Sequence, residues 1–246
     1  MICLVGASRD RTIYDAMWAQ FQMKFLGRIF RRAAPSLLVV GGGGHGRVVS
    51  EAALLSGHFS EVVVVDPRAY ENWSFSACRC VRDEVDISTH AGQWQFIPAV
   101  GDAIVRRRLF DAYVAKGFLP ASVLHPAASI SPSARIGKGC AVLSGSLVGV
   151  QAVLGDGVIV NNGAIVEHDC RVGDFAHLAP GAALAGGASL GTDSFLGANS
   201  SVRHGVSVAA GVTVGNGSAV ARDIVEPGTY AGNPAKSLSS AQNIVE

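Results

Sequence analysis

The sequence predicts a small α/β domain followed by a parallel β-helix. An apolar run that ends in four glycines is followed by a helical pattern and a second apolar run, which indicates strand, turn, helix and strand in residues 36–67. From Leu124 to Val220, an aliphatic residue recurs at every sixth position. All three tryptophans lie in the first hundred residues, so the composition changes where this repeat begins. We expect four segments: an extension at 1–35, the α/β domain at 36–121, the β-helix at 122–238 and a tail at 239–246.

The charge and the cysteine content narrow the class of protein. The 246 residues carry a formal net charge of +1, which argues against a nucleic-acid binder held by bulk electrostatics. Five cysteines form neither a CxxC pair nor a disulfide framework, as in proteins of a reduced cytoplasm. There is no run of about 20 apolar residues that predicts a membrane span, and the N-terminus does not resemble a signal peptide. We therefore expect a cytoplasmic protein with no nucleic-acid partner.

Residues 1–35 fit neither domain. Within residues 16–32, aromatic and aliphatic side chains fall near one helical face, and four basic residues supply positive charge. This pattern is typical of a helix that lies on an acidic membrane surface. Two other interpretations stay open: the segment packs on its own domain, or the true start is Met23.

The glycine-rich turn after the first apolar run indicates a nucleotide site. Gly41, Gly43 and Gly46 have the G-x-G-x-x-G spacing, and Asp66 follows Gly46 by 20 residues, at the end of the second run. Glycines let backbone N–H groups approach a diphosphate at the start of a helix, and the acid can accept hydrogen bonds from a ribose or a base. Because the region is too short for a complete dinucleotide fold, we expect a half-Rossmann-like domain that binds a nucleotide-sugar.

The period of six predicts a triangular coil. All seventeen positions from Leu124 to Val220 are aliphatic, and the position four residues after each of the first sixteen is Ala, Ser, Cys or Val. Alternate residues of a strand point the same way, so the large and the small residue both point inward. Glycine directly follows the aliphatic residue at seven of sixteen positions, where we expect it to supply the turn conformation. Three strands complete a coil of eighteen residues, and about five coils stack around one aliphatic column.

The register of the repeat gives His168 an outward position. Val166 and Cys170 point into the column, so Cys170 is core packing rather than a nucleophile. Asp169 adjoins His168 and can raise the basicity of the imidazole. Gly186 lies eighteen residues on, one coil above, where its backbone is open to approach. A merely solvated surface histidine is the alternative interpretation.

Residues 36 to 238 resemble the PglD/NeuD-type sugar acyltransferases. The matching segments are "GGGGHG", "VVVVDP", "AVGDAIVRRRLFDAYVAKGF", "LHPAASISPSARIG", "NNGAIVEHDCRVGDFAHLAPGA", "FLGANSSV" and "AGNPAK". The repeat alone is generic to hexapeptide-repeat acyltransferases, whereas a small nucleotide-binding half combined with "EHDC" and "GDFAH" is more specific. The resemblance implies a left-handed β-helix, a homotrimer, and acetyl-CoA as co-substrate with no metal required.

The resemblance also implies roles for individual residues. The catalytic positions are His168 as general base, Asp169 as the acid that tunes it, and Gly186 as a backbone donor to the thioester oxygen. The substrate-binding positions are Gly43, Gly44, His45 and Asp66 for the nucleotide and Asn161 near the sugar. The acetyl-CoA positions are His177, Ala198, Asn216 and Lys236.

These matches predict an acetyl-CoA-dependent N-acetyltransferase of nucleotide-linked amino sugars in bacterial surface-glycan biosynthesis. O-acetylation of a sugar or of sialic acid is the alternative, and a non-catalytic nucleotide-sugar-binding scaffold is a different class. The γ-type carbonic anhydrases share the repeat and hold zinc with three histidines. His168, His177 and His204 are the candidates for such a site in this sequence. The H-x4-H pair of that family is missing, and two coils separate His168 from His204 by roughly 10 Å, so a neighbouring subunit would have to contribute a ligand and we expect no zinc site.

Overall fold

The computed structural model describes residues 34–75, 77–83 and 94–238. From Pro35 on they belong to one compact unit, Pro35–Glu246, which contains both the α/β elements and the β-helix. The predictions for residues 16–32, for Met23 and for the tail at 239–246 lie outside the described residues. Within the described ranges, no helix is long and apolar enough to cross a membrane.

The α/β domain is a five-stranded parallel sheet with two helices. In chain order its elements are β1 (Ser36–Val40), α1 (Gly44–Ser56), β2 (Glu61–Val65), a 3₁₀ turn (Tyr70–Asn72), β3 (Arg79–Val81), β4 (Trp94–Pro98), α2 (Ala103–Ala115) and β5 (Leu119–Pro120). The strand order is β3-β2-β1-β4-β5. The chain builds outward from β1 on one side and then crosses to β4 on the other, which leaves a crevice at the carboxyl ends of β1 and β4. The strand, turn, helix and strand predicted for residues 36–67 are confirmed.

The β-helix has three parallel sheets, one on each face of a triangular coil. The face against the α/β domain, called the docked face, contains β6 (Val123–Leu124), β9 (Ala141–Val142), β12 (Ile159–Val160), β15 (His177–Leu178), β18 (Phe195–Leu196) and β21 (Val212–Val214). The apolar face contains β7 (Ser129–Ile130), β10 (Leu147–Val148), β13 (Ile165–Val166), β16 (Ala183–Leu184), β19 (Ser201–Val202) and β22 (Ala219–Val220). The arginine face contains β8 (Arg135–Ile136), β11 (Val153–Leu154), β14 (Arg171–Val172), β17 (Ser189–Leu190) and β20 (Ser207–Val208). Beyond them, β23 (Gly228–Ala231) and β24 (Lys236–Ser237) extend the docked sheet.

The coil length and the core agree with the sequence pattern. Within these faces each strand pairs in parallel with the strand eighteen residues on, as Ile165 pairs with Ala183. The aliphatic residues of the repeat from Val142 onward are buried, and so are the small residues between them. Cys170 is among these small residues, and burial raises the pKa of its thiol, which keeps it inert.

The glycines that directly follow the aliphatic residues do not have the left-handed conformation that we expected. The left-handed position comes two residues later. At every sixth position from Gly139 to Gly217 the residue has positive φ, and nine of these fourteen residues are glycine. The glycines that directly follow the aliphatic residues are explained instead by the close approach of the next coil. A Cβ on Gly155, for example, would lie 2.7 Å from the backbone N of Asp174 in the next coil.

Arg106 ties the α/β domain to the β-helix. It lies on α2 and is completely buried. Nη1 donates to the carbonyls of Val100 (2.9 Å) and Gly101 (2.7 Å), and Nε donates to that of Gly157 (2.8 Å). Nη2 donates to the carbonyl of Phe175. Burial lowers the pKa of Arg106 to about 10, so the side chain keeps its charge at neutral pH.

Replacing Arg106 by Met should lower the free energy of unfolding by about 3–5 kcal/mol, because four carbonyls at the domain junction lose a charged donor. Urea denaturation followed by circular dichroism measures the change. Arg108→Met is the matched control, because Arg108 is exposed on the same helix and its loss should change stability by less than about 0.5 kcal/mol. Equal stability of the two variants would contradict the role given to Arg106.

Candidate active site

A cleft of about 540 Å³ lies at the carboxyl ends of β1, β2 and β4. Its walls are the glycine-rich loop after β1, the acid after β2 and the loop after β4. The four residues predicted for the nucleotide all line it, namely Gly43, Gly44, His45 and Asp66. The cleft has the position in which open α/β sheets bind their ligands.

Asp66 shapes this cleft through its carboxylate. Oδ2 accepts a hydrogen bond from the N–H of Gly42 at 2.7 Å, and Oδ1 accepts from those of Arg68 and Ala69 at 2.8 and 3.0 Å. Burial of the carboxyl favours its neutral form, but the backbone donors outweigh burial and lower the pKa of Asp66. The ionised group therefore holds the glycine-rich loop in place.

The start of α1 presents open backbone to the cleft. Gly43 is the N-cap, and no side chain caps the helix. A Cβ on Gly43 or Gly44 would have no neighbour within 4 Å, whereas a Cβ on Gly46 would lie 1.9 Å from the carbonyl O of Gly41. Glycine is thus needed at position 46 for packing. The uncapped N–H groups at the helix start suit an anion such as a phosphate.

Two neutral histidines meet at the junction of the domains. The ring centroids of His45 and His177 are 6.2 Å apart. Burial and then the positive charge of Arg106 lower the pKa of His45 to about 4. Burial, Arg106 and His45 lower the pKa of His177 to about 3. Nε2 of His45 is buried with no hydrogen-bond partner in the described part of the chain.

Asn161 fixes the tautomer of His177. Oδ1 of Asn161 accepts from the N–H of Asn162 at 2.9 Å, so the amide nitrogen is the end that faces the imidazole. This nitrogen lies 3.2 Å from Nε2 of His177 and donates to it. The proton of His177 is therefore on Nδ1, which points at the carbonyl of Gly101 across 3.4 Å. His177 points away from its coil as predicted, but it is not a surface residue, because the α/β domain leaves it only 9% exposed.

His168 and Asp169 form an exposed dyad on the β-helix. Nδ1 of His168 lies 2.9 Å from Oδ2 of Asp169, and the side chains are 61% and 59% exposed. The hydrogen bond to Asp169 raises the pKa of His168. Because Nδ1 is engaged, Nε2 is the nitrogen left to exchange a proton with a ligand.

The imidazole of His168 lies over the backbone of Gly186. A Cβ at position 186 would be 2.5 Å from Nε2, so only glycine fits there while the imidazole keeps this position. In some other coils a side chain one coil on accepts from the equivalent N–H, as Asp174 does from Asp156 at 2.9 Å. Among the described residues, nothing accepts a hydrogen bond from the N–H of Gly186. A free backbone donor therefore lies close to Nε2.

The dyad and the nucleotide cleft lie on opposite sides of the prism in one chain. His168 follows β13 and precedes β14, so it lies at the corner between the apolar face and the arginine face. The α/β domain packs on the docked face, the side of the triangle opposite that corner. A single chain therefore does not bring His168 and Gly186 together with His45, Asn161 and His177.

Two of the residues predicted for acetyl-CoA lie at another corner. Ala198 and Asn216 follow β18 and β21, at the corner between the docked and apolar faces, and Oδ1 of Asn216 accepts from the N–H of Ala198 at 2.9 Å. Lys236 is exposed on β24, at the C-terminal end. The predicted catalytic residues His168 and Gly186 therefore lie along one edge of the apolar face, and the acetyl-CoA residues Ala198 and Asn216 lie along its other edge.

The three histidines considered for zinc do not converge. His177 is buried at the docked face, whereas His168 and His204 are exposed two coils apart on another corner. Within the described ranges, no group of three or more His, Cys, Asp or Glu side chains is placed to hold a metal.

Two features of the site were not predicted from the sequence. Arg106 begins a run of three arginines, and apolar residues follow it three, four and seven positions later, a helical spacing that marks it as facing the core. Arg135 and Arg171 line a cleft beside Asp169. The repeat gives both an outward position, but only the folded coil shows that they share a cleft.

A family model described as the PglD N-terminal domain matches residues 36–113. Comparison with curated proteins gives no match. The acetyltransferase domain of PglB from Neisseria gonorrhoeae is 38% identical, with a TM-score of 0.78, and the match covers 83% of this chain and 100% of that one. PerB from Caulobacter crescentus, solved with CoA and GDP-perosamine, is 35% identical, with a TM-score of 0.75 and coverage of 83% and 97%. The coils accordingly match the left-handed β-helix fold of acetyltransferases, as the resemblance implied.

The two neutral histidines predict a loss of stability in mild acid. Because their pKa values are lowered in the folded chain, the stability is fully present above the unfolded value of 6.5 and is lost as the pH falls towards about 4 and about 3. Between pH 7 and pH 5, each histidine should remove about 2 kcal/mol from the free energy of unfolding. Urea denaturation at pH 7, 6 and 5 measures this.

The variants His45→Asn and His177→Asn should each flatten this pH dependence. His58→Asn is the control, because His58 is exposed and its loss should leave the dependence unchanged. If all three variants kept the full acid sensitivity of the parent, the buried pair would not be its source.

Proposed function

The chain belongs to the PglD/NeuD-type sugar acyltransferases, and from that premise we propose that it transfers the acetyl group of acetyl-CoA to the amino group of a nucleotide-linked sugar. The observation that carries the proposal is the exposed His168–Asp169 dyad, which lies over Gly186, whose N–H has no acceptor among the described residues. PerB, crystallised with CoA and a GDP-linked sugar, supports the substrate class. We place the reaction in the cytoplasm, in bacterial surface-glycan biosynthesis.

The proposed chemistry is a direct transfer. The amine attacks the thioester carbonyl, and Nε2 of His168 takes the proton that the amine loses. Asp169 accepts from Nδ1–H and stabilises the imidazolium. The N–H of Gly186 donates to the oxyanion of the tetrahedral intermediate. Its collapse breaks the C–S bond, and CoA leaves as a thiolate that takes up a proton.

The substrate positions follow from the two halves of the site. The open backbone of Gly43 and Gly44 would bind the diphosphate, with His45 and Asp66 beside it. Asn161 would lie near the sugar. The acetyl-CoA positions would be His177, Ala198, Asn216 and Lys236. With both ring nitrogens of His177 already facing protein groups, we expect its contact with acetyl-CoA to be the weakest of these four.

A homotrimer would assemble the two halves. The outward residues of the apolar face include Leu147, Ile165 and Ala183, and Ile165 is 37% exposed. If neighbouring chains pack through this face, the corner with His168 in one protomer meets the corner with Asn161, Ala198 and Asn216 in the next. We propose that the active site forms at this boundary.

O-acetylation of a sugar or of sialic acid uses the same base and stays the second candidate. A specific observation favours N-acetylation: a variant of the 35% identical Caulobacter enzyme is described as a perosamine N-acetyltransferase. A panel of nucleotide-linked sugars with free amino or hydroxyl groups, assayed for CoA thiol release, separates the two. A chain that binds these nucleotides but releases no thiol would be a scaffold.

His168→Ala should lower kcat by about 10²–10⁴-fold, the usual contribution of a general base, and leave the KM for acetyl-CoA nearly unchanged. His204→Ala is the matched control, since His204 is also exposed and lies in the same column two coils on. Thiol release with UDP- and GDP-linked amino sugars measures both. A His168→Ala enzyme that retains a rate near that of the control would exclude His168 as the base.

The trimer proposal predicts complementation between two inactive variants. His168→Ala lacks the base, and Gly43→Trp fills the nucleotide cleft at a position where the backbone is open. Co-expressed in equal amounts, they should regain about a quarter of the parental activity if each site combines two protomers. If each site lay within one chain, the mixture would stay inactive.

A further inference from the structure

A cleft of about 400 Å³ opens on the arginine face next to Asp169. Arg135 and Arg171 project into its lining from β8 and β14, with one rung of the ladder between them. Two strand spacings separate their Cα atoms by about 10 Å, which two arginine side chains can span from either side. Ser133 and Gln151 complete the lining.

The charges of this cleft do not balance within the described chain. In the described ranges, neither guanidinium has a carboxylate at ion-pair distance. The acid in the lining, Asp169, already bonds to His168 through Oδ2. Two arginines in one cleft repel each other unless an anion lies between them, and their planar forks match the oxygens of a phosphoryl group.

Gln151 supports a ligand at the same place. It has a φ of 56°, at a position of the coil where most residues are glycine, and a non-glycine residue there costs roughly 1 kcal/mol. At two other such positions the side chain binds a neighbouring side chain, since Asp169 bonds to His168 and Asp193 pairs with Arg107 at 2.8 Å. The backbone N–H of Gln151 donates to Oγ of Ser133 at 3.1 Å, whereas its side-chain amide has no hydrogen bond within the described residues and lines the cleft.

The height of the cleft along the coil indicates which substrate it faces. Gly186 and the positions assigned to acetyl-CoA lie in coils after His168, towards the C-terminus. Ser133, Arg135 and Gln151 lie in the coils before it. Arg171 follows His168 in the same coil, so the cleft extends from the height of His168 away from the thioester, the side from which we expect the acceptor to enter.

We propose that Arg135 and Arg171, helped by Gln151, bind a phosphoryl group of the acceptor and so position its amine against His168. This inference rests on the proposed function. In the composite site, the diphosphate would meet the start of α1 of one protomer and the two arginines of the next. The three would be positioning residues for the transfer, and the CoA diphosphate is the other source of the same chemistry.

The first test is binding of inorganic pyrophosphate, which needs no turnover. Calorimetry should give a dissociation constant at least about tenfold higher for Arg135→Gln and for Arg171→Gln, the factor expected for one lost charge-assisted hydrogen bond. Arg135→Lys and Arg171→Lys should recover part of the affinity for pyrophosphate, because lysine keeps the positive charge but lacks the planar pair of N–H donors. Arg108→Gln, which removes an exposed arginine on α2, is the control. Equal binding by the Gln variants and the control would overturn the proposal.

The second test is the kinetic split. With a nucleotide-linked amino sugar as acceptor, the Gln variants should raise its KM about tenfold or more and leave the KM for acetyl-CoA unchanged. If only the KM for acetyl-CoA rose, the cleft would bind a phosphoryl group of CoA, and the assignment to the acceptor would be overturned. If the Gln variants dissociated into monomers in sedimentation, the arginines would contact a second copy of the chain, and the assignments to the acceptor and to CoA would both be overturned. Absence of thiol release by the parent chain would reject the proposed function alone, and pyrophosphate binding would still decide the role of the cleft.

Discussion

The stacking of eighteen-residue coils at strand spacing is the constraint on which the site depends. It sets the neighbours of every outward side chain at positions eighteen residues away, as in the pairing of His177 with Phe195 on the docked face. It also limits what those neighbours can be. The imidazole of His168 occupies the space where a Cβ of residue 186 would lie, so a base in this position on one coil requires a glycine on the next. Near the base, the N–H of Gly186 has no acceptor in the part of the chain that the structure describes, so the geometry that excludes a side chain also leaves a donor where we propose the oxyanion.

Three histidines of one chain show how the same side chain acquires opposite properties. His168 is exposed beside a carboxylate, and its pKa is raised. His45 and His177 are covered by the domain junction next to a buried arginine, and their pKa values are strongly lowered. Arg106 keeps its charge because carbonyl oxygens replace its hydration. The junction therefore holds one fixed positive charge close to the nucleotide cleft, and neutral histidines do not add to it. Together with the start of α1, this charge favours an anionic ligand in the cleft.

The sequence was sufficient to predict whether each side chain points into or out of the coil. It was not sufficient to predict what packs against the outside of the coil. Period six predicted that Val166 and Cys170 point inward and His168 outward, because the pleat alone decides this. It could not predict that His177 is buried, because that depends on the docking of a domain some seventy residues earlier in the chain. The reason given for the turn glycines was wrong because coil-to-coil distance, rather than the local turn, limits those positions. The hand of the coil came only from the resemblance, since inward and outward alternation is the same for either hand. The period also placed Arg135 and Arg171 on one face, two coils apart, but the cleft that they share depends on side-chain positions that only the folded coil shows.

The arrangement of the faces gives oligomerisation a chemical meaning. One face of the triangle is covered by the α/β domain, and a second carries two arginines without carboxylate partners in the described ranges. The third presents the aliphatic side chains of Leu147, Ile165 and Ala183, and it separates the base from the corner assigned to acetyl-CoA. In the described part of the chain the three faces of the prism point in different directions, so none of them can cover another. Contact with a second chain removes the apolar surface from water and, in the same step, brings the two corners to one boundary. The surface that drives association would then be the one that completes the site, so a chain that failed to associate would keep both half-sites intact and still lack the place where they meet.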